Sequence, residues 1–190
     1  VRVILNTQNT CQNPEKIRRF LISPEHQSWA IEHAIDMEYW ELFYWKFPDE
    51  HDKSEVSIRK CGHRYMIVTK IDEPVSSNKK GRFGSFRDTY TVEITEDKYR
   101  ELLDFFYKDN SIIYKHKRYM ILMESDEIRI SLDVYSNDEH NGLSIASIKF
   151  ANAEEADAFA IPQWFGKEIT IDPDYTGRHF PPYEAESVQV

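Results

Sequence analysis

The feature of this chain that most constrains its fold is a succession of short segments in which apolar and polar residues alternate. Alternation with a period of two is typical of β-strands that bury one face. Most of the segments follow one another closely, which favours antiparallel hairpins. The pattern predicts nine or ten strands, at residues 17–22, 38–47, 56–60, 65–71, 89–94, 112–117, 119–123, 128–135, 143–150 and 168–171.

Three helices are predicted from capping residues between these strands. Ser23 and Pro24 have the residue types of an N-cap and a first helical position. Thr95 is a second N-cap, and Asn152 with Glu155 forms the pattern of a capping box. We therefore expect an α+β fold, with antiparallel strands and peripheral helices that end near residues 34, 107 and 159.

The charged face of the strands has two possible interpretations. In an open sheet, one polar face is exposed to solvent and the other packs on a core. In a closed β-barrel, the charged face points into a water-filled interior. The residues by themselves favour the open, half-solvated sheet.

Composition narrows the class of protein. The 190 residues suit one domain, and a net charge of −9 argues against a nucleic-acid partner. No apolar run is as long as a membrane span requires. Cys11 and Cys61 do not form a CxxC motif, so a reducing compartment, the cytoplasm, is expected.

Basic residues on the predicted strands are the first candidates for a binding site. Lys and Arg bind phosphate oxygens directly, and Arg often forms two hydrogen bonds at once. A single such residue is usually a solvated surface charge, but a set on neighbouring strands can bind a polyanion. The candidate phosphate-binding residues are Arg59, Lys70, Arg87, Lys115, Lys117 and Arg118.

The segment at residues 156–180, ADAFAIPQWFGKEITIDPDYTGRHF, is the most specific in the chain. A helix ends at a proline, a Trp-Phe-Gly turn follows, and a short strand carries Glu168 before an aspartate-rich turn and an aromatic tail. This order resembles the C-terminal signature of the CYTH domain. That domain is shared by class IV adenylate cyclases, thiamine triphosphatases and inorganic triphosphatases, the triphosphate tunnel metalloenzymes. The resemblance implies a closed antiparallel β-barrel around a tunnel, over residues 15–180, between an N-terminal arm (1–14) and a C-terminal tail (181–190).

The basic motifs of the family are largely present. Arg59 in SIRK matches the second Arg of an R-x-R strand, and Lys70 in MIVTK matches the Lys of a T-x-K strand. Arg87 matches a basic residue at the head of the next strand. The family has a K-x-R pair where this chain reads YKHKRY, and the pair that faces inward could be Lys115 with Lys117 or His116 with Arg118.

The acidic motifs are mostly absent. Family carboxylates, which bind Mg²⁺ or Mn²⁺, are matched by Glu15, Asp133 and Glu168, so these three are the candidate metal ligands. At five other acidic positions of the family, the chain has residues that are poor ligands for a divalent cation: Ile17, Thr89, Thr91, Ser147 and Lys149.

These replacements make the predicted tunnel more positive. We therefore expect a divergent CYTH-like domain that binds a phosphate-rich anion, such as a triphosphate, a nucleotide or polyphosphate, with weak or no metal-dependent catalysis. One alternative is an active Mg²⁺- or Mn²⁺-dependent triphosphate hydrolase or adenylate cyclase, with Glu93 helping to rebuild a metal site. Another is a protein-interaction domain of a longer polypeptide, in which the tunnel is vestigial.

Overall fold

The computed structural model describes residues 16–45, 55–72, 87–108, 112–123, 128–172, 174–175 and 180–182. The predicted N-terminal arm, Glu15 and the tail beyond residue 182 lie outside this part of the chain. The strands are β1 (Lys16–Leu21), β2 (Asp36–Tyr44), β3 (Glu55–Cys61), β4 (Arg64–Asp72), β5 (Arg87–Ile94), β6 (Ile112–Leu122), β7 (Arg129–Tyr135) and β8 (Ser144–Phe150). The helices are α1 (Pro24–Glu32), α2 (Glu96–Lys108) and α3 (Ala153–Ala158), with a short 3-10 turn at Asp138–His140.

The three helices begin where their capping residues predict. The Ser23 side chain accepts a hydrogen bond from the His26 amide at the start of α1. At the start of α3, the Glu155 amide donates to the Asn152 side chain over 2.8 Å, and the Glu155 carboxylate accepts in return from the Asn152 amide group. Both arrangements satisfy amides that the first helical turn leaves without a partner.

The eight strands form one antiparallel sheet in the order β1-β8-β7-β6-β2-β3-β4-β5. The predicted α+β class is confirmed. No strand pairing joins β1 to β5 within the described residues, so the hydrogen bonds seen there define an open sheet. Closure into a barrel stays a prediction.

Two predicted strand boundaries are wrong. The segments at 112–117 and 119–123 form the single strand β6, because β2 pairs with it without interruption from Asp36↔Met120 to Tyr44↔Ile112. The segment at 168–171 makes only one isolated bridge, Phe20↔Glu168. It turns away afterwards, since the Asp172 amide bonds back to the Ile169 carbonyl.

The helices cover one face of the sheet, which we call the outer face. Under α1 and α3, buried side chains from four neighbouring strands form one apolar cluster: Phe20, Ile148, Ile130 and Ile121. Under α2, Phe43 and Ile58 pack with Tyr99. Each fully buried side chain of this size stabilises the fold by roughly 2 kcal/mol. No described helix is both long and apolar enough to cross a membrane.

The opposite face, which we call the inner face, is concave. The described helices pack on the other face, yet side chains of this face are also buried. Glu55, Ser57, Val68 and Leu42 are 1%, 0%, 3% and 6% exposed. In a flat sheet, a face without a covering layer would leave them open to solvent. The sheet therefore curls around its inner face.

The outer edge of β1 is covered by the chain after α3. The Gly166 amide donates to the Leu21 carbonyl, and the Leu21 amide donates to the Lys167 carbonyl. The Ile169 amide donates to the Arg19 carbonyl. A Cβ at Gly166 would lie 2.8 Å from the Leu21 carbonyl oxygen, closer than such atoms can approach. The chain can run this close to β1 because the residue is glycine.

Gly166→Ala is therefore expected to lower the free energy of unfolding by about 1–3 kcal/mol, because the backbone of β1 must move to admit the methyl group. Urea denaturation measures the change. Ala160, which is exposed beyond α3, offers a control in Ala160→Gly. Equal stability of Gly166→Ala and the wild type would contradict the close approach.

Candidate functional site on the inner face

The strand register brings three of the six predicted basic residues, Arg59, Lys70 and Arg118, to the inner face. In the register, Asp133 lies opposite Arg118, and Arg118 lies opposite Glu38. Farther along the sheet, Arg59 and Lys70 share this face through the pairs Leu42↔Arg59 and Glu55↔Lys70. By the same alternation, the charged residues of this face whose side chains are described are Arg19, Asp36, Glu38, Glu55, Arg59, Arg64, Lys70, Glu93, Arg118, Arg129, Asp133 and Lys149.

Asp133 and Arg118 form a two-bond ion pair near the middle of this face. Arg118 donates from Nε to Oδ1 over 2.6 Å and from Nη2 to Oδ2 over 2.8 Å. Burial by itself would raise the pKa of Asp133, but the charge and hydrogen bonds of Arg118 hold that pKa below its usual value. The Arg118 guanidinium also lies over the ring of Trp40, 5.4 Å from its centroid. Asp133 is thus an ionised carboxylate whose two oxygens are already bound.

His116 lies beside this pair and is almost fully buried. Its Nε2 is 3.4 Å from Asp133 Oδ1, without the geometry of a hydrogen bond, and its Nδ1 has no hydrogen-bond partner within the described residues. Burial lowers the pKa of His116 to about 4, although Asp133 acts in the opposite direction. Arg118 and Arg59 lower it further. The ring is therefore neutral at pH 7.

A second charged cluster surrounds Glu55, whose side chain is 1% exposed. Its Oε1 lies 3.3 Å from Lys70 Nζ and 3.5 Å from Arg59 Nη2. Arg59 is also fixed by a 2.9 Å hydrogen bond from Nε to Ser57 Oγ, and it lies over the ring of Tyr44. Two of the predicted phosphate ligands thus share one buried carboxylate.

Arg19 completes the basic set at the β1 side of the face. Its Nη1 donates to the Tyr175 carbonyl over 2.6 Å, and its guanidinium lies 5.9 Å from the centroid of the Phe180 ring. Phe180 packs there against Tyr114 and Tyr135. This aromatic cluster fills one end of the inner face with the chain that follows α3.

The structure answers the open question about YKHKRY. His116 and Arg118 lie on the inner face, whereas Lys115 and Lys117 alternate to the outer face, opposite Glu41 and Tyr39 of β2. The backbone of Arg87 begins β5, but its side chain lies outside the described part. Of the six predicted phosphate ligands, Arg59, Lys70 and Arg118 are brought to one face.

Glu168 lies on the other side of the sheet from Asp133. It pairs with Phe20 and accepts two hydrogen bonds from Arg18, from Nε over 3.0 Å and from Nη2 over 2.7 Å. Arg18 is 3% exposed and also donates to the Ala156 carbonyl of α3. Because Asp133 faces inward, these two carboxylates are not brought together.

The described carboxylates do not fit a divalent metal. Both oxygens of Asp133 accept bonds from Arg118, and Glu168 is bound by Arg18 on the outer face. Throughout the part of the chain that the structure describes, no three or more His, Cys, Asp or Glu side chains are grouped as metal ligands.

Four of the positions at which this chain lacks a family carboxylate lie on the inner face: Ile17, Thr91, Ser147 and Lys149. Ile17 pairs with Lys149 and Arg19 with Ser147, between β1 and β8. Thr91 pairs with Val68, on the face that Ser57 and Lys70 share. At these positions the inner face has no carboxylate where the CYTH resemblance implies one, and the divergence of the site stays a prediction.

Comparisons with known proteins identify the fold. No family model matches the sequence, and no curated protein matches it either. Among solved structures, the inorganic triphosphatase NE1496 superimposes with a TM-score of 0.58 at 20% identity, over 90% of this chain and 95% of that one. The chain shares the fold of that protein.

Two further solved structures share this fold at lower identity. A putative adenylate cyclase from Bacillus halodurans has a TM-score of 0.53 at 16% identity, over 75% of this chain and 83% of that chain. The putative adenylyl cyclase HpAC1 from Hippeastrum, described as having a dominant triphosphatase activity, has a TM-score of 0.50 at 10% identity, over 75% and 82%. These likenesses agree with the resemblance that the C-terminal segment carries, while closure of the sheet into a barrel stays a prediction.

Among the charged residues of the inner face that were not sequence candidates, Arg19 and Glu55 belong to the candidate site. Arg19 lies two residues after Ile17 on the same strand, so alternation could have placed it inward. Glu55 lies two and four residues before Ser57 and Arg59 on the same strand, and that alternation could have placed it inward. Its importance depends on contact with Lys70 of the neighbouring strand.

Proposed function

We propose that the inner face binds a phosphate-rich anion through Arg19, Arg59, Lys70 and Arg118, with weak or no metal-dependent catalysis. The observation that carries this proposal is the convergence of these four cations from β1, β3, β4 and β6 on one concave face. Guanidinium and ammonium groups are the usual protein ligands of phosphate oxygens. A triphosphate, a nucleotide or polyphosphate offers enough oxygens to contact several of them together.

The same contacts explain why metal is not required. In a metal-dependent site, cations reduce the repulsion between phosphates, and carboxylates bind the metals. Here Ile17, Ser147 and Lys149 replace acids on this face, while Asp133 is bound by Arg118. The protein's own cations would therefore balance the charge of the ligand.

The shape of the sheet and the fold neighbours agree with this ligand class. A curved sheet surrounds an elongated anion on several sides, and closure into a barrel would complete the tunnel that the CYTH resemblance implies. NE1496 is an inorganic triphosphatase, and HpAC1 is described by its triphosphatase activity. Tripolyphosphate is therefore the first ligand to test.

Calorimetry with tripolyphosphate in EDTA is expected to show saturable binding to the wild-type protein. Lys70→Ala should weaken this binding about tenfold, because it removes one charge-assisted contact. Lys117→Ala removes a like charge from the outer face and serves as the matched control. Absence of binding in EDTA, or equal losses in the two variants, would overturn the proposal.

Phosphate release separates the proposal from the alternative of an active hydrolase. With Mg²⁺ or Mn²⁺ present, the protein should bind tripolyphosphate. Phosphate should form from it no faster than in a protein-free control. Rapid metal-dependent release that Asp133→Asn abolishes would favour the alternative, since Asp133 would then act as a ligand despite its contact with Arg118.

A further inference from the structure

The inner face carries its own counter-anion. Glu55 is 1% exposed, and its Oε1 lies between Lys70 Nζ at 3.3 Å and Arg59 Nη2 at 3.5 Å. A buried carboxylate keeps its charge only where cations compensate for the lost hydration. Arg59 and Lys70, two of the four cations that we assign to the ligand, compensate for Glu55 in this way.

The contacts are long for charge-assisted hydrogen bonds, which usually measure 2.7–2.9 Å. By contrast, Arg118 holds Asp133 at 2.6 Å and 2.8 Å with both partners aligned. Arg59 has a shorter bond to Ser57, at 2.9 Å, than to Glu55. These two contacts of Glu55 are thus longer than those between Arg118 and Asp133, which makes Arg59 and Lys70 the easier cations for a ligand to recruit.

Lys70 and Arg59 are also the accessible members of the cluster. Their side chains are 26% and 16% exposed, so an anion on the inner face can approach them from the side away from Glu55. Glu55 cannot leave towards solvent as readily, because it is buried. Its negative charge would remain close to any phosphate bound by these two residues.

We propose that Glu55 is an affinity-setting residue of the anion site, an internal carboxylate that competes with the ligand for Arg59 and Lys70. This inference rests on the proposed function. The competition favours ligands of high charge, because a polyanion can contact Arg19 and Arg118 at the same time. A single phosphate would only replace the Glu55 carboxylate as the partner of Arg59 and Lys70. Glu55 therefore restricts the site to phosphate-rich ligands.

Glu55→Gln provides the test, with tripolyphosphate as the probe and EDTA present. Removal of one negative charge beside the ligand should tighten binding on the order of tenfold. Glu41→Gln is the matched control, because Glu41 lies on the outer face of β2 and its removal changes net charge equally. Affinity of that variant should stay within about twofold of wild type.

The opposite result is expected if Glu55 instead positions Arg59 and Lys70 for the ligand. Glu55→Gln would then bind tripolyphosphate no more tightly than the wild type does, and the inference would be wrong. If Glu55→Gln does not fold, as judged by circular dichroism, Glu55→Asp replaces it. That variant withdraws the carboxylate by one methylene and should bind about threefold more tightly; unchanged or weaker binding overturns the inference.

Failure of this inference is distinguishable from failure of the proposed function. Binding by the wild type that Glu55→Gln leaves unchanged or weakens rejects the role of Glu55 alone. Absence of binding in the wild type and in the Glu55 variants rejects both.

Discussion

Glu168→Ala is expected to lower the free energy of unfolding by about 3–5 kcal/mol. The substitution leaves the Arg18 guanidinium, which is 3% exposed, without the carboxylate that accepts two of its hydrogen bonds. An uncompensated buried charge costs far more than the small gain from an exposed ion pair. Urea denaturation followed by circular dichroism measures the difference.

Two further variants separate the ion pair from other causes. Glu32→Ala, at the exposed end of α1, should change stability by no more than about 0.5 kcal/mol. Combining Arg18→Met with Glu168→Leu removes both charges and should recover most of the lost stability, since apolar replacements of buried pairs are often neutral. A stable Glu168→Ala protein that had lost a metal-dependent activity would instead restore Glu168 as a metal ligand.

The second large effect is a dependence of stability on pH caused by His116. Burial lowers the pKa of His116 in the folded state to about 4, whereas an unfolded His titrates near pH 6.5. Below pH 6.5 the unfolded chain therefore binds a proton that the folded protein does not. This contribution to stability is complete above pH 6.5 and falls as the pH is lowered towards 4, by about 3 kcal/mol in all.

The measurement compares wild type with His116→Asn at several pH values between 7 and 4. The difference between their free energies of unfolding should shrink as the pH falls, because the variant lacks the titrating ring. His63→Asn alters an exposed residue of the β3–β4 turn and is the control. A difference that stays constant across this range would show that His116 is not the source.

The local elements of this fold could be predicted because their signals lie within a few residues. Ser23 and Asn152 cap helices whose first turns they contact, and the β3–β4 turn uses Gly62 at a φ of 57°. The break predicted before Tyr119 was wrong because a charged residue inside a strand resembled a turn. Arg118 is accommodated there by its pair with Asp133, 15 residues away in sequence.

The candidate site could be predicted only in part, since its contacts join distant strands. Alternation in YKHKRY is equally compatible with either pair facing inward, and only the register with β7 decides between them. The partner of Glu168 is Arg18, 150 positions away, so a structural role could not be read from KEIT alone. Glu55 was missed for the same reason, because its partner Lys70 lies on another strand.

The position of β1 also has a consequence for synthesis on the ribosome. This strand pairs with β8 on one side and with residues 166–169 on the other, so its partners emerge up to about 150 residues later. At typical translation rates, these partners are synthesised on the order of ten seconds after Phe20 and its neighbours. During that time β1 is an unpaired apolar edge, of the kind that chaperones bind. Residues 144–150 and 166–169 must be synthesised before β1 can join the sheet with both of its neighbours in place.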